Sequence, residues 1–269
     1  MLWCFLLECD PNNSLGGSPF RDQLNIYTHL PGGKRQVYCL NTVTLDKRYR
    51  SKYNSEDTQF VFSHEIYSIW DKMISQLSDG DTILWLLTGH GYQTRDLNFD
   101  EEDGFDEFVY IRQGEKLLDD RIKRMITLIP PTVRFIGLAD TCHSGTMFDF
   151  DHKFNNSSWD ERGKRGTPNC YSLGACSDYQ LDHCDIGNVA GYGGALTVHL
   201  LDYPDSISKL INGNETAIMS IYHHIQKTFV KLHQYPTLEC YNSRPILRGN
   251  KDTSGLFSFI PICSWLNYN

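Results

Sequence analysis

The sequence predicts an α/β fold built on a mainly parallel twisted sheet with helices on both faces, as one domain over residues 1–269. Three observations predict it. The runs Thr82–Leu87 (TILWLL) and Val133–Leu138 (VRFIGL) are apolar without alternation, the pattern of strands buried on both faces. Segments with apolar residues at helical spacing lie before and between them. Strand-like and helix-like segments alternate along the chain, with no internal repeat.

Met1–Leu7 is apolar, lacks a basic leading region and runs into Glu8-Cys9-Asp10, so it reads as a buried first strand and not as a signal peptide. Ser63–Leu77 carries Ile66, Ile69, Trp70, Met73, Ile74 and Leu77 on one helical face, and Asp79-Gly80-Asp81 turns the chain into TILWLL. After an acidic loop, Asp119–Ile129 repeats the helical pattern with Ile122, Met125, Ile126 and Ile129 until Pro130-Pro131 stops it before VRFIGL. Asp149–Thr167 is polar, charged and aperiodic. Residues 151–167 are therefore expected to form an exposed loop between a larger part (1–150) and a smaller one (168–269). A strand at Tyr171–Cys176, a long amphipathic helix opening near Asn214 and a last strand at Leu256–Ile260 complete the list.

With 33 acidic and 25 basic residues, the formal charge is −8. Such a chain lacks the basic footprint of a nucleic-acid binder or of a protein held to anionic membrane, and no apolar run reaches membrane-spanning length. Nine cysteines, an odd number with no Cys-x-x-Cys pair, point to a reducing, cytoplasmic setting and not to a disulfide framework. No His/Cys cluster has the spacing of a zinc site.

Two motifs stand directly after the two buried strands: Thr88-Gly89-His90-Gly91, and Ala139-Asp140-Thr141-Cys142-His143-Ser144-Gly145. Functional groups of open parallel sheets collect at the carboxyl ends of strands. If the two strands are neighbours, His90 and Cys142 meet. A cysteine near its free pKa of about 8.5 is mostly protonated at neutral pH, and an adjacent imidazole shifts it towards thiolate. Gly91 lets a backbone N–H approach a substrate carbonyl, and with the Cys142 N–H it forms a candidate oxyanion hole. His143 is a rival base by proximity in sequence, but adjacent side chains at a strand end point apart. Asp140 stands beside the nucleophile as an anion able to receive a basic side chain.

This pattern resembles the caspase-like peptidases, and DTCHSGT is similar to the nucleophile segment of the metacaspases. DEEDGFDEF at Asp100–Phe108, Leu118-Asp119-Asp120, GACSDYQ at Gly174–Gln180, GYGGALT at Gly191–Thr197 and Pro236-Thr237-Leu238 extend the likeness. The spacer between Cys142 and Gly174 is similar to the type I arrangement; the proline-rich prodomain common there is not expected in this chain. The resemblance implies a caspase-like α/β sandwich and a cysteine endopeptidase. It also implies that Asp22 and Thr88 join Asp140 in a pocket for Arg or Lys, although Gly-Ser-Pro-Phe-Arg-Asp at residues 17–22 departs from the family's usual segment. Asp106, Asp119, Asp120 and Asp149 match the family's calcium-binding aspartates, and Ca²⁺ takes six to eight oxygen ligands. Self-cleavage is then expected in the exposed loop at Arg162, Lys164 or Arg165. The chain is expected to act as a monomer on protein or peptide substrates with exposed Arg or Lys. Two other readings stay open: a weak or inactive caspase-like scaffold, and a calcium-independent, arginine-specific paracaspase-like enzyme.

Overall fold

The computed structural model describes residues 1–97, 104–150, 152–155, 158–159, 169–177, 180, 186–188, 191–229 and 234–241. The chain opens with strand β1 (Leu2–Cys9), helix α1 (Ser18–Thr28), β2 (Arg35–Asn41), the single turn α2 (Lys47–Arg50), β3 (Thr58–Phe62) and α3 (Ile66–Ile74). Next come β4 (Thr82–Gly89), β5 (Gly91–Arg95), β6 (Phe105–Arg112), β7 (Glu115–Leu118), α4 (Asp119–Thr127) and β8 (Arg134–Thr141). β9 (His152–Asn155), β10 (Ser158–Trp159), β11 (Cys170–Gly174), β12 (Ile186–Asn188) and β13 (Gly191–Gly193) follow. Helices α5 (Ala195–Leu201), α6 (Ser206–Asn212) and α7 (Glu215–Phe229) and strand β14 (Thr237–Tyr241) complete the described elements.

One sheet of nine strands runs β10-β9-β14-β11-β8-β4-β1-β2-β3. All pairs from β11 to β3 are parallel, and β14, β9 and β10 extend the sheet antiparallel. The central strands β1, β4 and β8 are buried along nearly their whole length, which is why they read as unbroken apolar runs. Successive side chains alternate between faces. Leu6, Leu84 and Leu138 therefore meet Ile26 of α1, Leu200 of α5, Leu210 of α6 and Tyr222 of α7 on one side. Phe5, Trp85 and Phe135 meet Trp70 of α3 and Ile122 and Ile126 of α4 on the other. The expected two-faced α/β sandwich stands, and no helix among the described residues is long and apolar enough to cross a membrane.

Several elements differ from the sequence expectation. The helix expected over 63–77 starts with a 3₁₀ turn at Ser63–Glu65 and ends at Ile74. The stretch taken as an acidic loop carries β5, β6 and β7, a small antiparallel sheet with stacked Tyr92 and Phe108 rings 5.2–5.3 Å from Tyr110 and each other. The expected exposed loop at 151–167 is corrected at its start: β9 pairs with β14, and His152 and Phe154 are buried, the Phe154 ring edge-on to Tyr222. Arg162, Lys164 and Arg165, Asp100–Asp103 and the strand expected at Leu256–Ile260 lie outside the described residues.

Candidate active site

The site is built by strand register. β1 and β4 pair Cys9 with Gly89, and β4 and β8 pair Gly89 with Thr141. The next residues out, Asp10, His90 and Cys142, therefore leave three adjacent parallel strands side by side. The His90 N–H donates to the Cys9 carbonyl at 3.1 Å, fixing the first step of the chain beyond β4. Gly89 has φ +131°, and a Cβ there would lie 2.8 Å from the Cys9 carbonyl carbon, so only glycine allows this approach. A Cβ on Gly91 would overlap the Cys142 carbonyl oxygen, which gives that glycine a packing reason besides the N–H assigned to it above. After the thiol, the backbone at His143 turns left-handed (φ 52°) and its N–H donates to the Gln180 carbonyl at 3.1 Å. Phe148 then returns to pack against Gly137, where a Cβ would be 2.7 Å from its ring. The turn that carries Cys142 is thus anchored from below by an aromatic ring 1% exposed.

The His90 side chain is 32% exposed, and its Nε2 lies 2.7 Å from Ser14 Oγ and 3.8 Å from Asp10 Oδ1. No hydrogen bond joins the ring to the Cys142 thiol among the described residues. Catalytic hydrogen bonds are often long before substrate binds.

Thr88, Asp22 and Asp140 come together, all within 2% exposure. Thr88 Oγ1 donates to Asp22 Oδ2 at 2.7 Å, and the Gly194 N–H to Asp22 Oδ1 at 2.9 Å. The Leu196 and Thr197 N–H groups donate to the two oxygens of Asp140 at 3.1 and 2.7 Å. Gly193 and Gly194 are demanded by contact. A Cβ at 193 would overlap Asp22 Oδ1, and one at 194 would meet the Asp140 carboxylate at 2.5–2.6 Å. Burial, and then the neighbouring Asp140 charge, push the Asp22 carboxyl well above the usual carboxylate range. Each oxygen still has acceptor capacity, and a cation placed between the two acids would relieve their repulsion.

Of the four aspartates expected to hold calcium, Asp106 lies on β6, Asp119 and Asp120 open α4, and Asp149 lies on the turn after Cys142. Asp119 is buried and accepts from the N–H groups of Glu107 and Asp120, both at 2.6 Å. Asp120 lies 3.5 Å from Arg124, and Asp149 lies 2.8 Å from Lys123 Nζ. Among the described residues no three acidic, His or Cys side chains converge as metal ligands. Thr146 Oγ1 donates to buried Glu107, so the segment leaving Cys142 is held to β6 and α4 by this bond and by Lys123–Asp149.

Sequence reasoning missed Glu8, Asp10, Ser14 and Glu107. Asp10 follows the first buried strand as His90 and Cys142 follow theirs, so the same rule of strand ends points to it. A concave surface beyond β2 and β3, lined by Asn41, Leu45, Arg50, Phe60 and Glu65, holds none of the expected site residues.

Residues 15–151, just over half of the chain, match the family model described as the metacaspase, peptidase C14 domain. Metacaspase-1 of Botryotinia fuckeliana is 37% identical over 87 residues, covering 31% of this chain and 21% of that one. Metacaspase-1A of Aspergillus fumigatus is 36% identical over 87 residues, with the same coverage of 31% and 21%. The match thus spans about a fifth of the length of these curated relatives. A crystal structure of a Geobacter sulfurreducens protein superposes with TM-score 0.56 at 18% identity, covering 91% of this chain and 94% of that one.

Proposed function

Because the chain belongs to the metacaspase, peptidase C14 family, we propose that it is a cysteine endopeptidase that cuts after Arg or Lys through Cys142 and His90. The observation that carries this reading is the placement of Cys142 and His90 on adjacent strand ends beside the buried Asp22–Asp140 pair. His90 takes the thiol proton, and the Cys142 thiolate adds to the scissile carbonyl carbon. The Gly91 and Cys142 N–H groups receive the oxyanion. The imidazolium returns its proton to the leaving amine as the C–N bond breaks, and water, deprotonated by His90, hydrolyses the thioester. Asp22, Asp140 and Thr88 hold the basic side chain.

Calcium is the cation proposed for Asp106, Asp119, Asp120 and Asp149, on the strength of the resemblance of these positions. The geometry sets a condition: Asp149 must exchange Lys123, and Asp120 must exchange Arg124. Self-processing near Arg162, Lys164 or Arg165, a monomeric state and a cytoplasmic setting belong to the same reading.

The test is turnover of fluorogenic peptides ending in Arg, Lys or Asp, with calcium or chelator, for the wild type, Cys142→Ala and His90→Ala. Cleavage after Arg and Lys alone, reduced about 10³-fold or more in each variant, is expected. Substantial turnover by Cys142→Ala sinks the dyad, and preference for Asp peptides sinks the pocket.

A further inference from the structure

Beyond the two residues of the dyad, the loop that leaves β1 reaches the far side of His90. Asp10 is 2% exposed. Its Oδ1 accepts from the Ser14 N–H and the Ser14 hydroxyl, both at 3.0 Å, and its Oδ2 accepts from the Leu15 N–H at 2.7 Å. The Asp10 backbone is itself pinned, because its N–H donates to buried Glu8 Oε1 at 2.5 Å, while Glu8 accepts from the Thr42 N–H at 2.7 Å. Ser14 Oγ lies 2.7 Å from His90 Nε2.

The proton count along this chain bears on the histidine. A hydroxyl has one proton, and of its two neighbours the Asp10 carboxylate can only accept it, whereas a ring nitrogen can also donate. With that proton on the carboxylate, the Ser14 oxygen accepts from His90 and Nε2 carries the hydrogen. The neutral ring is left with a bare Nδ1. His90 follows β4, which lies between β1 and β8, so with Nε2 engaged by Ser14 on the β1 side, Nδ1 is the ring nitrogen left for Cys142 on the β8 side.

We infer that Asp10 and Ser14 are positioning residues that hold His90 as the Nε2–H tautomer, present Nδ1 as the base for the Cys142 thiol, and stabilise the imidazolium once the proton has moved. The transfer takes the proton from Sγ to Nδ1. It leaves a thiolate and a ring cation whose charge faces the Asp10 carboxylate 3.8 Å away. The inference rests on Cys142 and His90 being nucleophile and base. A merely structural Asp10 would hold the turn through its two backbone N–H partners and have no use for the Ser14 hydroxyl.

Ser14→Ala separates the two, since it leaves the Ser14 and Leu15 N–H bonds to Asp10 in place and removes only the hydroxyl. It should lower kcat about tenfold with KM little changed, slow alkylation of Cys142 by iodoacetamide in parallel, and be rescued by Ser14→Thr. Asp10→Asn should lower kcat about a hundredfold where it folds. Ring ¹⁵N shifts of His90, read in a Cys142→Ala background at a pH above the ordinary histidine range, should show Nε2–H, and Ser14→Ala should mix the tautomers. Wild-type kcat and alkylation in Ser14→Ala overturn the relay, as does a kcat loss with no change of tautomer. If Cys142→Ala is inactive while Ser14→Ala is normal, the dyad stands and the relay alone fails. Full activity in Cys142→Ala removes both.

Discussion

Asp140→Asn isolates charge from shape in the pocket proposed for Arg or Lys. The native carboxylate is 2% exposed and bonded by two backbone N–H groups, from Leu196 and Thr197. The amide keeps one acceptor and turns an NH₂ towards one of those donors, at a stability cost of about 1–3 kcal/mol. The substrate's cation loses one of two buried counter-charges. Breaking one partner of a buried charged pair costs roughly 2–5 kcal/mol, about a 30- to 4,000-fold loss of kcat/KM for an Arg peptide. The structure places the expected value in the lower half of that range. Asp140 is the second cause of the raised Asp22 carboxyl, so its loss makes Asp22 easier to ionise and Asp22 takes over part of the work. The assay is kcat/KM for matched peptides ending in Arg, Lys and norleucine, with thermal melts to show that the variant is folded at the assay temperature. A folded Asp140→Asn enzyme within about threefold of the wild type on Arg would refute the argument.

Asp22 also sets a pH dependence. Its folded value is raised, so its contribution to stability is fully present at low pH and is lost as pH rises from the usual carboxylate range through that value; melts of Asp22→Asn should lack this slope. A cationic guest needs the charged form, so KM for an Arg peptide should fall as pH rises through the same window. An unchanged KM there, with the wild-type melt flat, removes the shared-acid pocket. Peptide turnover should rise with calcium, and Asp119→Ala/Asp120→Ala should abolish the response. Because Lys123 Nζ occupies Asp149 at 2.8 Å, Lys123→Met should lower the calcium needed for half activation about two- to fivefold. Full activity in chelator, unaltered by these variants, leaves the aspartates as structural groups.

What the sequence showed clearly were elements whose burial is two-sided. TILWLL and VRFIGL lie in the middle of the sheet with helices on both faces, so all but Thr82 and Arg134, each at or near the start of its strand, are apolar and no register is needed to see a strand. β2 and β3 are nearer the edge and carry more polar residues, as in Arg35-Gln36. α1 was silent for another reason. Asp22 and Gln23 occupy its buried face, where Asp22 serves the pocket and Gln23 Nε2 donates to the Leu6 carbonyl at 2.5 Å. A helix that buries polar groups for a site loses its apolar stripe. β9 was hidden by Asp149–Thr167 as a whole: His152, Lys153 and Asn155 hide the single buried aromatic, Phe154, that docks on α7.

The same contrast explains the site. His90 and Cys142 were visible because a motif follows a buried strand, yet the motif alone does not say which strands are neighbours. The topology does. From β1 the chain winds outward through β2 to β3, and from β4 it winds the other way through β8 to β11. The order therefore reverses between β1 and β4, the point at which an open parallel sheet forms a crevice beyond its strand ends. His90 stands on one side of that point and Asp10 on the other. The residues beyond β1 turn towards α1, which packs on the opposite face from α3 and α4, so this connection delivers Asp10 and Ser14 to the crevice and the helix it leads into delivers Asp22. Within this stretch, residues 17–22 depart from the family's usual segment. Asp22 was reached through the resemblance, but Asp10 and Ser14 escaped motif-based reading for the reason that they matter chemically: side chains that serve the histidine and the pocket leave no apolar period to run through them.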